Sequence, residues 1–83
     1  MTDQAIETVK EKVQNFFKSQ PGYTDKRYGQ IMAGSDPSGT IMVYGRDENT
    51  FIIGLGMTAD AAYTDFVKRW KKIKALRKNP KKA

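Results

Sequence analysis

The chain has 83 residues, a net charge of +6, and neither cysteine nor histidine. At this length we expect one domain with a single hydrophobic core. The missing cysteine and histidine exclude disulfides, thiolate metal sites and histidine-dependent proton transfer near neutral pH.

The first segment predicts an amphipathic helix over residues 3–19. Its apolar residues recur at steps of three and four, which places on one stripe Ile6, Val9, Val13, Phe16 and Phe17. The helix should end at Pro21-Gly22, because proline disfavours helical geometry in the residue before it. This acidic start is not typical of a secretory signal, and no apolar run reaches the ~20 residues that span a bilayer. We therefore expect no membrane partner and a cytoplasmic location, or a nuclear one in a eukaryote.

The middle of the chain predicts three strands, at residues 28–34, 40–46 and 51–56, joined as an antiparallel meander. The runs are rich in Ile, Val, Phe, Tyr and Met, and turn residues separate them. Asp36-Pro37-Ser38-Gly39 favours the first turn, since proline fixes one φ and glycine accepts a positive one. Residues 47–50 favour the second.

The last segment predicts a helix over residues 59–77, with Thr58 as its N-cap. Its apolar stripe consists of Ala59, Ala62, Phe66, Trp70, Ile73 and Leu76. The opposite side should present Lys68, Lys71, Lys72, Lys74 and Lys78. Asn79-Pro80 ends the helix, so we divide the chain into a single α+β domain, 1–78, and a flexible basic tail, 79–83.

The predicted fold class is therefore α+β, in the order α-β-β-β-α: a three-stranded antiparallel sheet with two helices packed on one face. Strand alternation assigns residues to the two faces. We expect the face beneath the helices to carry Ile31, Ala33, Ile41, Val43, Phe51, Ile53 and Leu55. We expect the uncovered face to carry Tyr28, Gln30, Met32, Met42, Tyr44, Arg46 and Ile52, with Gly54 and Gly56.

This uncovered face is more apolar than ordinary solvated sheet, and such patches mark interaction sites. Three interpretations stay open. Tyr28 and Tyr44 could stack unpaired bases while Arg46 supplies charge. The face could instead bury itself against a second copy or a protein partner. A strand register that differs by one residue would exchange the two faces.

Charge is concentrated at the C-terminal end. Residues 1–67 hold six Lys/Arg against nine Asp/Glu, a balance of −3, whereas residues 68–83 hold nine Lys/Arg and no acid. Part of this charge complements the negative end of the helix dipole, but the missing acids favour an anionic partner. We predict that DNA or RNA phosphates are contacted by Lys68, Arg69, Lys71, Lys72, Lys74, Arg77 and Lys78. A second nucleic-acid surface would consist of Tyr28, Tyr44 and Arg46.

Two other patterns predict structure rather than chemistry. Residues 54–59 match G-x-G-x-x-A, but a dinucleotide fold requires a parallel strand after the helix, so we interpret the glycines as a tight strand-to-helix turn. The carboxylates show no catalytic or metal-binding spacing. We therefore expect no enzyme, no metal and no cofactor.

The α-β-β-β-α order resembles the double-stranded-RNA-binding domain and the small Alu-domain proteins of the signal recognition particle. Where the first family opens its last helix with Lys-Lys-x-Ala-Lys, this chain has Ala59-Asp60-Ala61-Ala62-Tyr63. That departure removes the family's main phosphate clamp, so its function is not carried over. The second resemblance is supported by the basic end of the last helix and by the uncovered sheet face. Our leading hypothesis is a small non-enzymatic nucleic-acid-binding module, and the alternative is a protein-interaction or regulatory module that dimerises or docks a partner through the uncovered face.

Overall fold

The computed structural model describes residues 2–47 and 50–78. It contains the helices α1 (Thr2–Lys18) and α2 (Ala59–Lys78), and the strands β1 (Met32–Ser35), β2 (Ile41–Arg46) and β3 (Phe51–Gly56). The strands form one antiparallel sheet in the order β1-β2-β3, so that β1 and β3 are its edges. The predicted α+β fold and the order α-β-β-β-α are confirmed.

Both helices lie on one face of the sheet. Helix α1 packs against β1 and β2, while α2 packs against β3 and β2, and the two helices contact each other. The buried core between the layers consists of Val9, Val13, Phe17, Tyr28, Ile41, Val43, Ile52, Ala62, Phe66 and Trp70. Within residues 2–47 and 50–78, neither helix is long and apolar enough to cross a membrane.

The predicted caps and turns form as local hydrogen bonds. The Ala61 N–H donates to the Thr58 hydroxyl at 3.1 Å, which caps the start of α2. In the first turn, the Ser38 N–H donates to the Asp36 carboxylate at 3.0 Å, and Gly39 has a φ of 92°. The second turn and the predicted tail include residues 48–49 and 79–83, which lie outside the described residues.

Strand β1 is shorter than predicted, because it begins at Met32 instead of residue 28. Tyr28 forms only an isolated bridge to Asp47, and the Gly29 N–H donates to the Arg46 carbonyl at 2.8 Å. The chain joins the regular ladder at Met32, which lies opposite Tyr44.

The predicted phase of β3 is wrong by one residue. Phe51, Ile53 and Leu55 are exposed on the uncovered face, whereas Ile52 is buried beneath the helices. The reason is the close approach of α2: a Cβ on Gly54 would lie 2.6 Å from the Ala62 carbonyl oxygen. Gly54 is therefore on the inner face, because only a residue without a side chain fits there.

Tyr28 is also misplaced by the sequence prediction. Its side chain is buried in the core, 4.8 Å from Phe17 and 5.3 Å from Tyr23 between ring centroids. Because residue 28 precedes the regular ladder, strand alternation does not govern which face it occupies. It cannot be part of the uncovered surface.

Candidate docking surface

Cross-strand pairing brings the outward side chains of all three strands into one surface. Tyr44 on β2 lies opposite Met32 on β1 and Ile53 on β3, and the neighbouring Met42 lies opposite Leu55. We call this surface the open sheet face, and its members are Met32, Met42, Tyr44, Arg46, Phe51, Ile53 and Leu55. Because these pairs are neighbours in a hydrogen-bonded ladder, the face is a continuous patch rather than scattered apolar residues.

The open sheet face is strongly exposed. Its methionine, phenylalanine, isoleucine and leucine side chains, together with Met57 just beyond β3, are between 38% and 65% exposed, and Tyr44 is half-buried. The rings of Tyr44 and Phe51 meet edge to face with centroids 4.6 Å apart. A shallow groove of about 330 Å³ crosses the face, lined by Met32, Ala33, Gly34, Met42, Tyr44 and Ile53. Such a concave apolar surface is suited to receive bulky apolar groups.

The two ends of the open sheet face carry opposite charges. Arg46 ends β2, and its side chain lies across Gly29, where a Cβ would be 2.5 Å from the arginine Nε. At the other end, the Asp36 carboxylate accepts hydrogen bonds from the hydroxyl of Ser38 and from the N–H groups of Ser38 and Thr40. The Ser38 hydroxyl is the main cause of a lowered Asp36 pKa. This carboxylate is therefore ionised at neutral pH.

The structure separates the three residues predicted to form a second nucleic-acid surface. Tyr44 and Arg46 lie on the open sheet face, whereas Tyr28 is in the core. The aromatic neighbour of Tyr44 is Phe51, which the alternation pattern assigned to the opposite face. Gly54 and Gly56 are two small residues at alternate positions of β3. This spacing could have indicated that they face a closely packed helix and that Phe51 lies on the opposite, uncovered face.

The cations of α2 point in different directions. Lys68 and Lys71 are exposed, and Arg69 and Lys72 line a groove beside β3. Among the described carboxylates, none lies within 4.0 Å of Lys68, Lys71 or Lys72. Arg77 and Lys78 belong to the last turn of α2 by their backbone.

The predicted outward orientation of Lys74 is wrong. Its ammonium group pairs with the Asp47 carboxylate, whose side chain is only 2% exposed. The same nitrogen lies 4.8 Å from the centroid of the Trp70 ring. A carboxylate this deeply buried requires a cation, and the long Lys74 side chain supplies it by crossing the indole. Lys74 therefore connects α2 to the end of the β2–β3 hairpin.

Arg69 is held by a second ion pair. Its Nε lies 3.1 Å from the Asp65 carboxylate, which also accepts a 2.9 Å hydrogen bond from the Leu55 N–H of β3. That backbone hydrogen bond is the main reason why the Asp65 pKa is lowered, and the Arg69 guanidinium adds to it. Asp65 thus joins the flank of α2 to the edge of the sheet.

Within the described ranges, no group of three or more acidic side chains is arranged to hold a metal ion. The chain matches no known protein family, no curated protein and no solved structure. The open sheet face and the α2 cations are therefore interpreted from their own chemistry.

Proposed function

We propose that the chain is a non-enzymatic protein-interaction module that docks through the open sheet face, and that the occupant of this face is a second copy of the chain. The observation that carries the proposal is the continuous exposure of large apolar side chains across all three strands. Methionine, phenylalanine, tyrosine and arginine, which make up most of this face, are also enriched in protein interfaces.

The exposed apolar area of the open sheet face is comparable to the area that one partner contributes to a protein interface. The exposed fractions of Met32, Met42, Phe51, Ile53, Leu55 and Met57 amount to on the order of 600 Å² of apolar surface, taking ~200 Å² for a large side chain. This equals the largest patches found on ordinary monomers, about 300–600 Å². Together with Tyr44 and the charged ends, it approaches the ~800 Å² that each partner contributes to a standard interface.

Charge complementarity favours a second copy as the occupant. A two-fold axis that runs between the sheets, perpendicular to the strands, stacks the open sheet face on itself with the strand ends exchanged. Arg46 of one copy then lies over the Asp36 turn of the other, and this happens twice in the dimer. The apolar centres, around Met42 and Tyr44, meet in the middle. An isologous dimer therefore buries the patch and pairs both charges at its rim.

Changing Met42 to lysine should separate the two copies. The new ammonium group would lie at the centre of the interface, where it has no counter-charge, whereas in the free chain it reaches water. We expect the dimer to weaken by about thirtyfold or more, as for a central interface residue. Sedimentation equilibrium measures this directly, since the wild-type chain should have the mass of two chains and Met42→Lys the mass of one.

Leu76→Lys is the matched control, because Leu76 is an exposed apolar residue of α2 outside the open sheet face. It should leave the mass of two chains unchanged. A wild-type chain that sediments as a monomer, or a Leu76→Lys variant that dissociates as readily as Met42→Lys, would contradict the proposed interface.

The charged ends provide a test of the two-fold arrangement. Arg46→Glu places a carboxylate opposite Asp36 of the second copy, and we expect the dimer to weaken roughly tenfold through like-charge repulsion. Adding Asp36→Asn should recover part of this loss, because asparagine keeps an oxygen for the turn hydrogen bonds but carries no charge. A double-mutant cycle on the dimerisation constant gives the coupling. Strictly additive effects would show that the two ends do not meet.

A second function, polyanion binding through α2, is favoured by the exposed Lys68 and Lys71, neither of which has a carboxylate within 4.0 Å among the described residues. Lysines on one side of a helix suit sequence-independent contacts with DNA or RNA phosphates. This surface is distinct from the open sheet face, so that a dimer would present two copies of it.

Lys68→Gln combined with Lys71→Gln should weaken binding to a duplex oligonucleotide. The slope of log K against log salt is negative, and each lost phosphate contact makes it less steep by about 0.9. We therefore expect the magnitude of the slope to decrease by about 2 in the double variant. Fluorescence titrations at several salt concentrations measure the slope. Lys10→Gln on α1 is the control for a general loss of charge. Unchanged affinity and slope in the double variant would exclude this face as the phosphate site.

A further inference from the structure

Among residues 2–47 and 50–78, no strand pairs with the outer edge of β3, which therefore presents unused backbone groups. At the end of the hairpin the Asp47 N–H donates to the Thr50 carbonyl at 2.9 Å. Hydrogen-bonded pairs alternate in an antiparallel ladder, so every second residue from Thr50 pairs with β2 and the residues between them point away. Phe51, Ile53 and Leu55 therefore direct their N–H and C=O groups out of the sheet.

One of these outward N–H groups already has a hydrogen-bond acceptor, which is a side chain rather than a neighbouring strand. The Leu55 N–H donates to the Asp65 carboxylate at 2.9 Å, which occupies the place where a neighbouring strand would offer a carbonyl. Across residues 2–47 and 50–78, the outward N–H groups of Phe51 and Ile53 have no acceptor. Asp65 thus protects one end of the edge and leaves the other end open to strand addition.

A groove runs beside the open part of this edge. It has a volume of about 340 Å³ and is lined by Phe51, Ile52, Ile53, Arg69, Lys72 and Ile73. One wall is the edge of β3 and the other is the flank of α2, which contributes two cations. We call this the β3-edge groove. A chain that lies in it can reach the free backbone groups and the two basic side chains at once.

We propose that the β3-edge groove binds an extended segment of a partner protein, added to the sheet as a fourth strand, in which acidic residues alternate with apolar ones. Side chains of an added strand point alternately to the two faces. Those on the helix side would meet Lys72, which has no carboxylate within 4.0 Å among the described residues, beside Arg69, whose Nε is already paired with Asp65. The Lys72 ammonium group calls for a carboxylate. Those on the other side would extend the apolar surface of Phe51 and Ile53, which calls for aliphatic groups.

A second copy is a poor occupant for this groove. Pairing two β3 edges would bring the Arg69 and Lys72 side chains of both copies close together, and like charges across an interface oppose association. The proposal goes beyond the face-to-face dimer, because stacking the sheets leaves both β3 edges uncovered.

The test uses a blocked, fluorescein-labelled heptapeptide of alternating valine and glutamate as the probe, with fluorescence anisotropy as the readout. We expect saturable binding that weakens about tenfold or more in Lys72→Glu, because a carboxylate then faces the glutamates. Lys26→Glu makes the same charge change at an exposed lysine outside both α2 and the groove, and it should alter the affinity less than about twofold. A peptide of alternating valine and lysine should not bind.

Amide hydrogen exchange locates the probe on the wild-type chain. Exchange at the Phe51 and Ile53 N–H groups should slow about tenfold or more when the peptide binds, since an added strand accepts hydrogen bonds from both. Failure of the probe to bind, binding without this protection, or equal losses in Lys26→Glu and Lys72→Glu would each overturn the proposal. Protection of the Phe51 and Ile53 N–H groups that rises with protein concentration, in the absence of peptide, would also overturn the proposal, because it would identify a second copy as the occupant.

The Met42→Lys variant separates this proposal from the proposed dimer. It should bind the probe with wild-type affinity whether or not the chain dimerises, because Met42 lies on the middle strand and does not line the groove. Loss of the dimer with retained peptide binding supports both proposals, whereas loss of peptide binding in this variant would contradict an independent edge site.

Discussion

Replacing Lys74 with methionine is expected to lower the free energy of unfolding by about 1–3 kcal/mol, the usual effect of removing one hydrogen-bonding partner from a buried carboxylate when the lost cation is itself part-exposed. The Asp47 carboxylate keeps the hydrogen bond from the Thr50 N–H but loses the ammonium group that faces it. Methionine preserves most of the packing across Trp70, so the loss reports mainly on charge. Urea denaturation followed by circular dichroism measures the change.

The double variant Asp47→Asn/Lys74→Met is the control for this interpretation. Because it removes both charges and leaves an amide oxygen to accept from the Thr50 N–H, it should recover most of the stability lost in the single variant. Asp47→Asn alone should have the smaller effect, since the Lys74 side chain is 34% exposed and its charge can turn to water. A Lys74→Met protein as stable as the wild type would show that the pair does not hold the hairpin to α2.

Trp70→Ala is expected to cost about 3–5 kcal/mol, as for other large aromatic residues deleted from a core. The indole is only 3% exposed and contacts aromatic rings from both helices, with centroids 6.0 Å from Phe16, 5.1 Å from Phe17 and 6.3 Å from Phe66. Because small domains have total stabilities of about 5–15 kcal/mol, this variant should be largely unfolded in moderate urea. Since Trp70 is the single tryptophan, unfolding must be followed by circular dichroism.

Leu76→Ala is the matched control on the same helix. Its side chain is exposed, so its truncation should change stability by about 0.5 kcal/mol or less. The interpretation of Trp70 as a core residue would be wrong if Trp70→Ala and Leu76→Ala had the same urea midpoint.

The order of helices and strands was predictable because each element has its own periodicity or cap. Helix α1 repeats its apolar residues at Val9, Val13 and Phe17, and Thr58 marks the start of α2. On β2 the alternation is clear, since Ile41 and Val43 are buried. Local patterns of this kind depend only on neighbouring residues, and for that reason they can be recognised without the fold.

The faces of β3 could not be predicted from alternation, because Phe51, Ile52 and Ile53 are all large and apolar. Their phase is decided by Gly54 and Gly56, whose missing side chains let the α2 backbone approach the sheet. This is a contact between two elements, and a strand pattern considered alone does not contain it. The consequence for function is large, since it adds Phe51 and Ile53 to the open sheet face.

The basic composition of α2 was predictable from the sequence, but the directions in which its cationic side chains point were not. Helical spacing groups Lys74 with the other lysines, yet the Lys74 side chain pairs with the carboxylate of Asp47, 27 residues earlier in the chain. Likewise Arg69 is held by Asp65, and Lys72 lies beside the edge of β3. The Lys74 pairing and the position of Lys72 depend on tertiary packing, whereas the Arg69–Asp65 pair has the i,i+4 spacing of a single helix and could have been recognised from the sequence. Together they divide one predicted cationic face into three environments.

The most direct measurement of the open sheet face is an isotope-filtered NOE experiment on a mixture of labelled and unlabelled chains. Intermolecular NOEs should connect the methyl groups of Met42 and Ile53 in one chain with the ring of Tyr44 and the methyl groups of Leu55 in the other, because the two-fold arrangement stacks each strand on its own copy with the ends exchanged. If these methyl groups show contacts only within their own chain, and the protein sediments as a monomer under the same conditions, the open sheet face does not join two copies.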